Sequence, residues 1–234
     1  MYEVSCIWHI TESEKLLFRE IMHKNCITEI ADGMILLEVS YDKVTIKTLD
    51  CSFCCDFKDS WHQNILYTVN YDNSPLARAI NTKLNHKILD ATAGFGRDTY
   101  TLAALGKTIY AIEQHPVVAL VLEWACKDIV NITVKNADSN NIIGLSEWDA
   151  IYFDFMFEKS NRKAKSNQGI ELLAKMVETQ LLSLKTWTNA LESSNRVVIK
   201  RPVNCIGLPI DFDIGKPNHT IKAKTVCFDV YLGK

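Results

Sequence analysis

The chain has 234 residues, 47% of them hydrophobic and 23% charged, with 26 Lys+Arg against 28 Asp+Glu for a formal charge of −2. That length fits one large domain, or one domain with a smaller attachment, and the composition excludes disordered and collagen-like chains. The near-neutral balance does not advertise a nucleic-acid partner, although it leaves room for a local basic patch.

Val4 to Ile10 reads as a short strand. From Ser13 to Lys24, the residues Leu16, Leu17, Phe18, Ile21 and Met22 fall at helical spacing, with Glu14 in the first turn. Met34–Val39 and Val44–Thr48 flank Ser40–Lys43 as a β-hairpin, and Cys51–Phe57 follows as a third strand. Residues 1–60 are therefore expected to form a small N-terminal α+β region. Residues 58–73 show no period and read as a linker or long loop. Ser74-Pro75 then opens a helix running to about Leu84, since Ser caps well and Pro suits the first helical position. Residues 61–85 form the linker and entry helix.

From Lys87 the rhythm becomes strand–helix alternation, which assigns residues 86–234 to one domain. Strands are expected at Lys87–Asp90, Thr108–Glu113, Ile132–Lys135, Ala150–Phe153, Arg196–Lys200 and Cys227–Tyr231. Helices are expected at Arg97–Leu105, closed by Gly106, from Pro116 through Trp124, and as one long amphipathic segment from Ile170 to about Thr186. Short apolar strands separated by helices predict an α/β fold with a Rossmann-like, doubly wound, mostly parallel sheet.

No apolar run reaches the ~18 residues of a membrane span. Met1–Val4 lack the basic start of a signal peptide, so a cytoplasmic location with reduced thiols is expected for the eight cysteines. Cys51-Ser-Phe-Cys54-Cys55 has a CxxC spacing, but no second ligand pair stands at a usual offset. It is read as strand thiols, and no metal site is expected.

Five motifs carry chemistry. Asp90-Ala-Thr-Ala-Gly94-Phe-Gly96-Arg97-Asp98 lies between a strand and a helix. Its small residues permit a sharp turn and close backbone approach to a ligand at the C-terminal edge of the sheet. Thr99 occupies the place of the third Gly of the dinucleotide fingerprint, whereas the D-x-G-x-G-x-G pattern of S-adenosylmethionine (SAM) enzymes fits, with Thr92 at its first Gly. Glu113, which ends the next strand, is placed to bind both hydroxyls of an adenosine ribose, in SAM or in a nicotinamide cofactor. After the third strand, Asp138 is placed to accept from an adenine amino group, with Ser139 beside it.

Tyr152-Phe-Asp154-Phe-Met-Phe157 ends the fourth strand and resembles the D-P-P-[YF] element of amino-methylating enzymes. An exocyclic amine is a poor nucleophile because its lone pair is delocalised into the ring. A carboxylate that accepts its hydrogens, here Asp154, favours a geometry that frees the lone pair, and an aromatic ring, here Phe157, stacks on the base. Basic residues follow at Lys159, Arg162, Lys163 and Lys165, at Lys200 and Arg201, and at Lys216, Lys222 and Lys224, placed for a phosphate backbone.

With these residues in place, the chain resembles the RsmJ-type class I methyltransferases, which use SAM to methylate the N2 amino group of a guanosine in small-subunit (16S) ribosomal RNA. The resemblance rests on Asp90–Asp98, Glu113–Val118, Tyr152–Phe157, Arg196–Pro202 and Phe228–Tyr231, in the family's order and spacing. It covers about residues 85–234 well and the N-terminal third loosely. It implies cofactor contacts at Arg97 and Asp98, at Glu113 and Gln114 (Gln for the family's Arg), at Asp138 and Ser139 (Asp for its Ser) and at Asp154. It departs from the family at Phe155 and Glu158, which stand where the family has prolines, and at Asn70–Pro75, which replaces a glycine-rich loop. The expectation is a SAM-dependent RNA methyltransferase acting on small-subunit ribosomal RNA or the assembled subunit. Its rivals are a catalytically silent RNA-binding homologue and a nicotinamide-dependent oxidoreductase.

Overall fold

Two sheets share one apolar cluster. The structure is a computed structural model and describes residues 2–155, 168–176, 181–204, 208, 210 and 212–233.

The N-terminal region begins with β1 (Tyr2–His9) and α1 (Glu12–Lys24). Thr11 and Glu14 form a capping box at the start of α1. The Thr11 N–H donates to the Glu14 carboxylate at 2.7 Å, and the Glu14 N–H donates to the Thr11 hydroxyl. The helix buries Phe18, Ile21 and Met22, as its spacing predicts. Next come β2 (Ile27–Glu29), β3 (Leu36–Ser40), β4 (Lys43–Lys47) and β5 (Ser52–Asp56), which assemble in the order β2-β1-β3-β4-β5. The expected hairpin is β3–β4, antiparallel, and β1 pairs parallel with β2 and β3. The three-residue β2 is too short to show alternation in sequence. Cys54 and Cys55 are consecutive in β5, which sends one sulfur outward and buries the other.

The expected linker at 58–73 instead contains α2 (Ser60–Thr68). The Asp59 carboxylate caps it by accepting the His62 N–H at 2.8 Å. No α2 residue is fully buried, so the helix carries no apolar stripe that a sequence could display. α3 (Pro75–Ile80) is capped by the Ser74 hydroxyl, as expected, but stops short of Leu84 because Asn81 takes φ 57°.

The larger sheet is built from β6 (Lys87–Asp90), α4 (Arg97–Ala104), β7 (Thr108–Glu113), α5 (Pro116–Cys126), β8 (Ile132–Asn136), β9 (Ala150–Asp154), α6 (Gln168–Met176), α7 (Leu184–Glu192), β10 (Arg196–Pro202), β11 (His219–Lys222) and β12 (Val226–Leu232). The strand order is β11-β12-β10-β9-β6-β7-β8. The five strands from β8 to β10 are parallel; β12 runs antiparallel to β10, and β11 to β12. β11 is a half-exposed edge strand without a clear apolar pattern, which is why its sequence is silent.

The single helix expected over Ile170–Thr186 is corrected. Leu182 lies in a strand-like bridge with Ile210, and extended Ser183 caps a new helix by accepting the Thr186 N–H at 3.1 Å. The apolar spacing carries across this break because α6 and α7 each have an apolar face.

α5 is apolar nearly all round because it is covered on two sides. Its Leu120, Val121, Leu122 and Trp124 join one cluster with Phe18 of α1 and with Val4, Val44 and Ile46 of the smaller sheet. Trp124 packs edge-on against Phe18 at 5.1 Å and donates its indole N–H to the Ser40 carbonyl at 2.8 Å. The apolar core therefore runs across the boundary expected near residue 60. A second cluster covers the opposite face of the large sheet, with Ile151, Phe153, Val197 and Ile199 under Trp187 and Ala190 of α7. Among the described residues no helix is long and apolar enough to cross a membrane.

Candidate active site

β6 lies between β7 and β9, and the chain leaves it for β7 on one side before returning to β9 on the other. Ligands of open α/β sheets bind at such a reversal, outside the carboxyl ends of the strands. Asp90, Glu113 and Asp154 are the last residues of β6, β7 and β9, and Lys200 stands in register opposite Asp154 on β10. The fold thus gathers these four side chains at one edge.

The turn after β6 is tied to both neighbours. Ala91 donates its N–H to the Tyr152 carbonyl, and Ala93 donates to the Ile112 carbonyl, both at 2.9 Å. Gly94, with φ 55°, donates its N–H to Glu113 Oε2 at 2.9 Å. Gly96 precedes α4 with φ 76°, and a Cβ there would lie 2.4 Å from Leu122 Cδ1. Glycine is required at 96 by both conformation and space.

Glu113 is buried and also accepts the His115 N–H at 2.7 Å on Oε1. Burial pushes its carboxyl up, while the N–H groups of His115, Gly94 and Gln114 pull it back. The Asn136 side chain donates to the Glu113 and Gln114 carbonyls, both at 2.9 Å, and so locks the end of β7 to β8. Asp138 caps the short 3₁₀ turn Ser139–Asn141, accepting the Asn140 N–H at 2.8 Å, and Ser139 is buried beside it.

Asp90 is 1% exposed, and burial pushes its carboxyl up to about 7 against the Thr99 hydroxyl, which donates to it at 2.5 Å. Asp98, in the first turn of α4, accepts the Tyr152 hydroxyl at 2.5 Å and the Lys200 ammonium at 2.7 Å. The same ammonium donates to Asp154 Oδ2 at 2.7 Å, and the Asp154 N–H donates to Thr92 Oγ1 at 2.7 Å. Burial pushes Asp154 up, Lys200 opposes this, and Asp98 adds to it.

Other expected site residues fall elsewhere. Arg97 is exposed, with its guanidinium 4.3 Å over the Trp61 ring of α2. Lys200, expected to face phosphate, is instead held in the carboxylate cluster. Arg201 is engaged with Asp229 through Nε–Oδ2 at 2.5 Å and Nη2–Oδ1 at 3.2 Å, and Thr220 donates to the same carboxylate at 2.6 Å. Lys216, Lys222 and Lys224 are exposed. Phe157, Lys159, Arg162, Lys163 and Lys165 lie outside the described residues. Phe155, in the place of the family's proline, is buried and stacked on Phe153 at 5.2 Å.

Sequence reasoning gave no bonding role to Thr92, Thr99 or Tyr152, although they stand in its motifs, and passed over Asn136. Each acts as a hydrogen-bond partner of a predicted residue, brought to it by strand adjacency or by the seat of α4 on the sheet.

The donor set fits SAM. Gly94 leaves the backbone of the turn bare of side chain. Each Glu113 oxygen holds one of the N–H groups described above and keeps lone-pair capacity for a ribose hydroxyl. Asp90, Asp98 and Asp154 set three carboxyl acceptors at this edge, an arrangement that suits the cationic sulfonium and ammonium of SAM.

Comparison with known proteins agrees with this geometry. A family model described as "Putative SAM-dependent methyltransferase" matches residues 23–233. A protein called ribosomal RNA small subunit methyltransferase J, from Francisella tularensis subsp. novicida, is 34% identical over 195 residues, covering 75% of this chain and 78% of the relative. One of the same name from Francisella philomiragia is 35% identical over 173 residues, covering 64% and 66%. In structure the chain is similar to a SAM-dependent methyltransferase from Neisseria gonorrhoeae, with a TM-score of 0.73 at 22% identity over 98% of this chain and 95% of that one. That similarity shows a Rossmann-like class I methyltransferase fold. The cofactor is SAM, and the nicotinamide alternative falls.

Proposed function

The chain belongs to the SAM-dependent methyltransferases of the ribosomal RNA small subunit methyltransferase J type, and from that premise we propose that it methylates the N2 amino group of a guanosine in small-subunit (16S) ribosomal RNA. SAM, when bound, supplies an electrophilic methyl group. The chain's own residues supply binding and orientation, and positioning of two reactants carries most of the rate.

In this reading Glu113 accepts the ribose hydroxyls, with Gln114 next to it. Asp138 and Ser139 meet the adenine. Asp90, Gly94, Gly96 and Asp98 hold the amino-acid portion, whereas Arg97, which the resemblance also assigns there, is exposed over the Trp61 ring. Asp154 contacts the cofactor and accepts a hydrogen bond from the target amine, and Phe157 stacks on the base. A strong general base is not needed, because the amine becomes acidic once alkylated. Lys159, Arg162, Lys163 and Lys165, with exposed Lys216, Lys222 and Lys224, face the phosphate backbone. The protein works in the cytoplasm, where its substrate is assembled.

The observation that carries this reading is the seat of Asp154. Its N–H donates to the Thr92 hydroxyl of the turn after β6, so Asp154, at the end of β9, is tied to the loop assigned to the cofactor. Mapping modified nucleotides in small-subunit ribosomal RNA from cells with and without this protein tests it. One N2-methylguanosine should vanish in the deletion and return on complementation. An unchanged map would leave the silent RNA-binding homologue, which Phe155 in place of proline keeps open although the intact Asp90, Gly94, Gly96, Glu113 and Asp154 argue against it.

A further inference from the structure

Lys200 sits in register opposite Asp154, yet its ammonium reaches two elements at once, meeting Asp154 Oδ2 of β9 and Asp98 Oδ2 of α4 at 2.7 Å each. The Lys200 and Asp98 side chains are only 21% and 22% exposed, so water screens the pair weakly. Other groups face the cluster from every side: the Tyr152 hydroxyl on Asp98, the Asp90 carboxyl on β6, and the neutral Thr92 hydroxyl beneath the Asp154 backbone. Without a cation between them, Asp98 and Asp154 would repel each other across the edge where the amine must arrive.

We propose that Lys200 is a positioning residue for methyl transfer, bridging Asp98 and Asp154 and fixing the two carboxyls at one spacing. The inference rests on the function proposed above. Burial alone pulls the Lys200 ammonium down; Asp154 and Asp98 together more than reverse this and hold it above its ordinary value. Removing it leaves Asp154 with burial and Asp98, both of which push its carboxyl up. Activity that needs the carboxylate is then lost at a higher pH as acid is added.

The test is K200M and K200R in the full chain. Two readouts are followed: the pH profile of methyl transfer to small subunits, and a carbon-13 titration of the aspartate carboxyls without substrate. K200M should lower kcat at neutral pH by about tenfold or more. Its acid limb and its Asp154 titration should both move to higher pH, and K200R should restore most of the shift. K200Q replaces K200M if the latter does not fold. An unshifted carboxyl titration overturns the role of Lys200 whatever the activity assay shows. Loss confined to RNA affinity and its salt dependence also overturns it, marking a phosphate contact instead. Wild-type protein that transfers no methyl group would remove the proposed function separately.

Discussion

Phe53, on the outermost strand of the smaller sheet, stacks on Phe95 of the glycine-rich turn, with ring centroids 4.4 Å apart and planes inclined by 29°. The contact is part of a wall. The Cys55 thiol lies 3.9 Å from the Phe95 carbonyl, and a Cβ on Gly96 would sit 3.1 Å from Phe57 Cζ. On the other side, Gly169 of α6 rests so closely on the Phe53 ring that a Cβ would come within 2.6 Å of it. The smaller sheet backs the turn assigned to the cofactor.

Phe53→Ala should therefore affect stability and cofactor affinity together. Loss of the half-buried ring and its stack costs about 2–3 kcal/mol, a Tm drop of roughly 4–12 °C for a chain of this size. Affinity for S-adenosylhomocysteine, read by calorimetry, should fall several-fold. Unchanged affinity in a destabilised protein would show that the turn does not lean on β5.

Gly96→Ala combines two penalties. Its φ of 76° suits glycine, and the new methyl would meet Leu122 at 2.4 Å. Strain and overpacking together cost about 2–4 kcal/mol. Urea unfolding checks this, and adding Leu122→Ala should recover the packing share while leaving the conformational one. Strict additivity of the two substitutions would contradict the clash.

Asp154→Ala should reduce labelled methyl incorporation into small subunits by about a hundredfold or more. S-adenosylhomocysteine should still bind, only partly weakened. Transfer at the wild-type rate would remove Asp154 from the assigned role.

Asp90 predicts a pH dependence of stability. Its folded carboxyl is pushed up to about 7, above the ordinary carboxylate range, so the fold favours the protonated form. That contribution is complete below about pH 4 and is lost as pH rises through about 7. Asp90→Asn has no proton to lose. Its stability relative to wild type should therefore improve across this window, by at most roughly 1.4 kcal/mol per pH unit. Parallel pH–stability curves for the two proteins would contradict this.

Arg201→Met should act on stability rather than on RNA. It strands the Asp229 carboxylate, whose side chain is 5% exposed, with Thr220 as a remaining donor. Breaking such a pair costs about 3 kcal/mol or more. The salt dependence of RNA binding should match wild type; a shallower slope would return Arg201 to the phosphate-facing surface.

Elements with a clear apolar stripe or apolar run were legible in the residues themselves. The stripe of α1, the apolar runs of β6, β7 and β9, and the caps at Ser74 and Gly106 all follow from local chemistry. α2 was not legible, because a helix held by an Asp59 cap and aromatic contacts at one end needs no stripe. The break before α7 was hidden because apolar residues on both sides keep helical spacing. The sequence by itself determined the α/β class, the glycine turn, and the carboxylates Asp90, Glu113 and Asp154 at strand ends, since each depends on nearest-neighbour chemistry. Only the tertiary structure decided which charges meet. Lys200 and Arg201 are adjacent in sequence and look alike there. Strand order and α4 deliver Asp154 and Asp98 to the first and Asp229 to the second, so two apparent RNA contacts become ion pairs. Distance across the sheet, set by long-range pairing, is not encoded in any local pattern.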